Sequence, residues 1–185
     1  WVSRIDQIID GRLDRKGLIH TTSYTRRNLL MDHSRFKSIL ISHDTANVQS
    51  QIKKFKEAKP PMVMVSPSQT EGVDYPADEC RYIIIGKVPF LDTRDPLTKA
   101  RSDADKEWAM YETMQTLVQS AGRGNRRIDD VCEIFILDDD FRNWFWKYNK
   151  KFAPQYFRDA VMIEDLLPPP PALQSKGVYD ADNRG

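Results

Sequence analysis

Five short apolar runs limit what this chain can fold into: GLIHTT at 17–22, SILIS at 38–42, MVMVS at 62–66, YIIIG at 82–86 and EIFIL at 133–137. Each is too short for a helix and is rich in Ile and Val, so each reads as a strand. Near-continuous apolar runs fit strands covered on both faces. Helical patterns lie between them. Trp1, Ile5, Ile8 and Ile9 recur at helical spacing over residues 1–10, and Ser23 caps a helix with Leu29, Leu30 and Met31 on its apolar side. Asp44 or Thr45 caps another, with Val48, Ile52 and Phe55 on one face. Residues 100–121 read as one long helix with Trp108, Tyr111, Met114, Leu117 and Val118 on its buried side. An aromatic-rich helix over 141–152 and a short one from Pro154 to about 161 complete the pattern. Strands alternating with helices predict an α/β fold: a doubly wound, mainly parallel sheet with helices on both faces.

At 185 residues the chain is long enough for one sizeable domain. We assign that domain to residues 1–165 and read 166–185 as a proline-rich terminus, extended or disordered, because prolines 168–171 cannot continue a helix. The chain opens on Trp1, inside a helical pattern, so we expect it to be part of a larger protein. Its net charge of +1 provides no global field toward nucleic acid. Anion binding therefore falls to local clusters: Lys53, Lys54, Lys56 and Lys59, the arginines at 123–127, and Lys147, Lys150 and Lys151. Cys80 and Cys132 share no CxxC spacing, which excludes a four-cysteine metal site within the chain and fits reduced thiols in the cytoplasm. No apolar run reaches the roughly 18 residues of a membrane span, so a membrane partner is not expected.

In parallel α/β sheets, ligands meet the loops at the carboxyl ends of the strands. Those loops here are 21–24, 42–44, 66–76 and 86–95. The third, SPSQTEGVDYP, gathers hydroxyls, a glycine and two carboxylates that suit a sugar–phosphate ligand, or else form a solvated turn. Thr21, Thr22, Ser23 and Tyr24 offer hydroxyls and an aromatic face to a nucleic-acid backbone and base. QSAGRGNRR at 119–127 interleaves Gly122 and Gly124 with Arg123, Arg126 and Arg127; an arginine fork grips phosphate oxygens, and glycine lets a ligand approach. No GxxxxGK[ST] cradle, HExxH pair or acidic pair for magnesium accompanies these arginines, and Asp138, Asp139 and Asp140 read as a helix start. His20, His33 and His43 are scattered and read as structural. Phosphate-gripping arginines without a cradle suggest a domain that completes another domain's nucleotide site.

Taken in order, these motifs resemble those of the second RecA-like motor domain of superfamily-two helicases, in the XPD/DinG group of DNA helicases. GLIHTTSY at 17–24 is similar to motif IV, SILISHD at 38–44 to the segment after it, and SPSQTEGVDYP at 66–76 to motif V. YIIIGKVPFLDTRDP at 82–96 resembles the group's strand and proline-containing loop, QSAGRGNR at 119–126 fits the motif VI pattern QxxGRxxR, and ILDDDF at 136–141 the strand end that follows. Asn125 departs from the pattern, standing where the group often has an aliphatic residue. The likeness covers residues 16–161.

The resemblance implies an ATP-dependent DNA helicase. In it Arg123 and Arg126 are arginine fingers, and Gln119 lies near the γ-phosphate or the attacking water. Glu71, Gly72 and Asp74 line the nucleotide, while Thr22, Ser23, Tyr24 and Thr70 track the phosphates of single-stranded or forked DNA. ATP and Mg²⁺ then belong to the full-length protein, whose first motor domain holds the phosphate-loop lysine, the metal and, in some members, an iron–sulfur cluster. No metal is expected on this chain. The alternatives are a single-stranded nucleic-acid-binding α/β module without motor activity, and a flavodoxin-like or small-molecule enzyme using loop 66–76.

Overall fold

The structure, a computed structural model, describes residues 1–67, 73, 75–124 and 131–173. Its elements in chain order are α1 (Val2–Asp10), β1 (Gly17–His20), α2 (Tyr24–His33), β2 (Leu40–Ser42), α3 (Val48–Glu57), β3 (Val63–Ser66), β4 (Tyr82–Ile85), α4 (Pro96–Ala104), α5 (Lys106–Ala121), β5 (Glu133–Ile136), α6 (Trp146–Asn149) and α7 (Gln155–Ala160). The strands form one sheet in the order β2-β3-β1-β4-β5, with every pair parallel. β1 is central: Leu18 faces Met64 on one side and Ile83 on the other.

Strand residues alternate between two cores because the pleat sends successive side chains to opposite faces. Leu18, Ile41, Met64, Ile83 and Ile85 pack with Ile52 and Phe55 of α3, and with Met114, Leu117, Val118 and Ala121 of α5. Ile19, Leu40, Val63, Val65 and Ile84 pack with Ile5, Ile8 and Ile9 of α1 and Leu30 of α2. The doubly wound α/β fold expected from the alternating runs is therefore the fold observed. Gly17 is required where β1 passes β4, since a Cβ there would stand 2.1 Å from the Tyr82 ring.

Four elements differ from their sequence reading. The long helix over 100–121 is two helices, α4 and α5. Asp95 caps the first (Thr98 N to Asp95 Oδ2, 2.8 Å) and Asp105 caps the second (Trp108 N to Asp105 Oδ1, 2.8 Å), with Asp105 itself in extended backbone. The aromatic stretch 141–152 is a π-helical turn, Phe141–Phe145, followed by α6 and a 3₁₀ turn, Lys150–Phe152. Residues Lys37–Ile39 form a 3₁₀ turn ahead of β2 rather than its first part. Before α3, Asp44 closes a turn, accepting from Ala46 N and Asn47 N, and the helix begins at Val48.

At the amino end of the sheet, residues 166–173 run without helix or strand. Leu167 packs on the α1/α2 core, the Pro168 carbonyl accepts from Arg12 Nη2 (3.3 Å), and the Pro171 carbonyl from Arg15 Nη1 (3.0 Å).

Candidate functional site

The segments singled out in the sequence gather at the carboxyl end of the sheet. α5 ends at Ala121 and passes into a 3₁₀ turn, Gly122–Gly124, that carries Arg123. Gly124 sits against the Cys132 side chain, where a Cβ would stand 2.4 Å from Sγ, so the turn seats on β5's approach only because residue 124 lacks a side chain. Arg123 is half-buried. Its Nη1 donates to the Val73 carbonyl (3.2 Å), and its own carbonyl accepts from Tyr75 N (3.1 Å). Tyr75 is anchored in turn, edge-on to Phe55 of α3 at 5.5 Å, with Lys56 Nζ 5.5 Å from its ring. The arginine turn and the end of the loop after β3 are thus stitched into one unit. Gln119, on the last turn of α5, is exposed.

The loop after β1 is more tightly committed than its composition suggests. Ser23 caps α2, accepting from Arg26 N at 3.2 Å. Thr22 holds φ at 59°, in the left-handed region that a β-branched residue rarely occupies, and its hydroxyl donates to the Thr21 carbonyl (2.7 Å). Thr21 ties this loop to β3: its N–H and its hydroxyl both reach the Ser66 carbonyl, at 2.9 and 3.3 Å. Tyr24 is exposed at the start of α2, with the Arg27 guanidinium 5.1 Å from its ring. The loop therefore presents an aromatic face and a helix N-terminus, both suited to a base and a phosphate.

Thr70, Glu71, Gly72, Asp74 and Arg126 lie outside the described residues. Asp138 is spent locally: it accepts from Val88 N (2.7 Å) and Asp140 N (3.1 Å), holding the loop after β4 against the turn after β5. Among the described residues no three His, Cys, Asp or Glu side chains group to hold a metal, and no helix is long and apolar enough to cross a membrane. Cys80 and Cys132 are free thiols in one core.

Sequence reasoning missed two participants. The Val73 carbonyl is a backbone group, invisible to a motif. His20, at the carboxyl end of β1, is buried with neither ring nitrogen hydrogen-bonded. Its signal was a polar residue closing an apolar run. Burial, and after it the charge of Arg123, push its pKa down to about 3, so the ring is neutral.

A sequence profile of the helicase C-terminal domain matches residues 12–158. The chain belongs to that family. The helicase domain is 30% identical over 91 residues to ATP-dependent DNA helicase DinG of Photobacterium profundum, covering 45% of this chain and 13% of that protein. It is 32% identical over 129 residues to ATP-dependent DNA helicase YoaA of Haemophilus influenzae, covering 64% of this chain and 20% of that protein. Among solved structures an XPD helicase superposes with a TM-score of 0.59 at 18% identity, over 83% of this chain and 31% of the other. The helicase domain thus spans about a fifth or less of the length of these curated relatives. It is a C-terminal helicase domain of the XPD/DinG type with a RecA-like fold.

Proposed function

We propose that this helicase domain is the second motor domain of an ATP-dependent DNA helicase. In this reading Arg123 and Arg126 supply arginine fingers to an ATP site whose phosphate loop and Mg²⁺ belong to the first motor domain. Gln119 lies beside the attacking water, Glu71, Gly72 and Asp74 line the nucleotide, and Thr22, Ser23, Tyr24 and Thr70 grip single-stranded DNA. The observation that supports it is the bonding of the Arg123 turn to Val73 and Tyr75, neighbours of the positions assigned to the nucleotide.

Hydrolysis spreads charge over the transferring phosphoryl oxygens, and an arginine supplied from outside the cradle accelerates it by about 10³–10⁵-fold in related NTPases. At about 1.4 kcal/mol per decade that is roughly 4–7 kcal/mol. To reach a phosphate, Arg123 must leave the Val73 carbonyl, a bond worth about 1.5–3 kcal/mol net. In this reading the arginine exchanges that carbonyl for phosphate oxygens when ATP closes the cleft and returns to it when phosphate leaves. A finger on one domain and a cradle on the other couple turnover to domain closure, and closure to movement along a strand.

The test is twofold. The 185-residue chain, assayed with single-stranded DNA, is expected to show no ATP turnover; robust turnover contradicts the reading that half of the site lies elsewhere. In the protein that carries both motor domains, Arg123→Ala is expected to lower kcat by about 10³-fold or more with a smaller effect on ATP affinity. A mutant with normal turnover removes Arg123 from catalysis.

A further inference from the structure

We propose that His20 is a positioning residue for the Arg123 finger, an acceptor held in reserve beneath the turn for the guanidinium to use once it leaves the Val73 carbonyl. This rests on the assignment of Arg123 above.

The pleat places His20 on the same face of β1 as Leu18, and Leu18 belongs to the core shared with Leu117, Val118 and Ala121 of α5. That face is covered by the helix whose end carries Arg123. In register beside His20 stand Ser66 of β3 and Ile85 of β4, so an aliphatic side chain would continue the core. Instead the position holds an imidazole only 3% exposed whose Nδ1 and Nε2 both lack a partner. The fold does pair a buried histidine nearby, since His43 Nε2 lies 3.2 Å from Ser66 Oγ. A buried polar ring left unpaired calls for an explanation other than stability.

Arg123 provides one. Its charge acts on the imidazole, and with burial keeps the ring in the form that has a lone pair to offer a cation. The guanidinium carries five N–H donors in a fixed plane. When it exchanges the Val73 carbonyl for phosphate oxygens, an N–H facing back into the domain can use an acceptor, and His20 is a buried ring on that face whose nitrogens have no partner. One such bond fixes the plane of the fork, which a phosphoryl transition state requires of it.

The experiment compares His20→Leu, His20→Gln and Arg123→Ala, alone and combined, in the protein that carries both motor domains. His20→Leu is expected to leave the thermal midpoint unchanged or higher. It should lower the kcat of DNA-stimulated ATP hydrolysis by about ten- to a hundredfold at nearly constant KM. In the Arg123→Ala background the same change should cost nothing further, and His20→Gln, which keeps an acceptor, should recover part of the loss. Wild-type turnover in His20→Leu, or a loss that adds in full to that of Arg123→Ala, overturns the proposal. So does a folded His20→Leu protein whose stability and kcat fall together, because that marks a structural ring. Should His20→Leu not fold, His20→Met is read by the same criteria. Normal turnover in Arg123→Ala instead overturns the finger assignment itself, and the two failures are distinguishable.

Discussion

The two ends of the sheet hold their arginines on different partners. At the amino end, Arg12 is 2% exposed and places its fork on Glu133 through Nε (2.8 Å) and Nη2 (2.5 Å), with Pro168 accepting as well. Arg15 is forked on Asp14 and reaches Pro171, and Lys16 Nζ donates to the carbonyls of Phe55 and Lys56 at 3.1 and 3.0 Å. Every buried cation there is matched by acceptors. At the carboxyl end, His20 is unpaired, Thr22 occupies a left-handed conformation, and Arg123 Nη1 donates to a backbone carbonyl. A satisfied network locks one geometry, whereas an unsatisfied one keeps another within reach. The amino end is tied by charged pairs, and the proposed function places the change of partner at the carboxyl end.

The largest effect that contrast predicts is at Arg12. Arg12→Ala leaves Glu133, 13% exposed, without its fork, and removing one member of a buried pair costs about 3–5 kcal/mol. Chemical denaturation of the chain measures it. A loss under about 1 kcal/mol would put this pair with ordinary surface bridges and undo the contrast at its stronger end.

His20 gives the carboxyl end its own stability signature. Its ring titrates near 6.5 when unfolded and near 3 when folded, so between those values the unfolded chain binds a proton that the folded chain does not. Stability then rises with pH, and it is lost as pH falls from 6.5 toward 3 at about 1.4 kcal/mol per pH unit from this residue. Subtracting the profile of His20→Leu from that of wild type isolates the term. Parallel profiles would mean the ring finds a partner or solvent when protonated.

How much of this was legible in the residues follows from where each feature is encoded. The five strands are local: runs such as YIIIG have no other economical fate. The break at Asp105 was missed because apolar spacing continues across it, although Asp95 and Asp105 are both N-cap residues that mark two helix starts. The π-helical turn at Phe141–Phe145 was missed because aromatic residues at helical spacing satisfy α and π windings alike. Among the candidate site residues, motif order points to Arg123, Thr22, Ser23 and Tyr24 because motifs name side chains. Motif order does not single out Val73, which contributes only a carbonyl, or His20, whose proposed role depends on a turn distant in sequence.

Gly124 sharpens the comparison from the packing side. A methyl there meets Cys132 Sγ at 2.4 Å and its Cβ at 3.0 Å, and overpacking of this kind costs about 1–3 kcal/mol. Gly124→Ala is therefore expected to lower the denaturation midpoint and tilt the turn that carries Arg123, reducing kcat in the two-domain protein. Combining it with Cys132→Ala removes the sulfur and should restore part of both. Recovery of stability without recovery of kcat would separate the seat of the turn from the aim of the arginine.

The smallest effect is at Thr22, where strain and lost contacts nearly cancel. A β-branched residue at φ 59° is strained by about 1–2 kcal/mol, a penalty glycine does not incur. Thr22→Gly also forfeits the hydroxyl bond to Thr21 and frees the unfolded chain, each worth somewhat less than 1 kcal/mol. The balance is a change within about 1 kcal/mol of zero. If the strain serves to aim the start of α2 at a strand, the same substitution weakens single-stranded DNA binding while the fold grows no weaker, a split that equilibrium binding and denaturation resolve on one preparation. Loss of stability together with unchanged binding would show instead that Thr22 is fully supported where it stands.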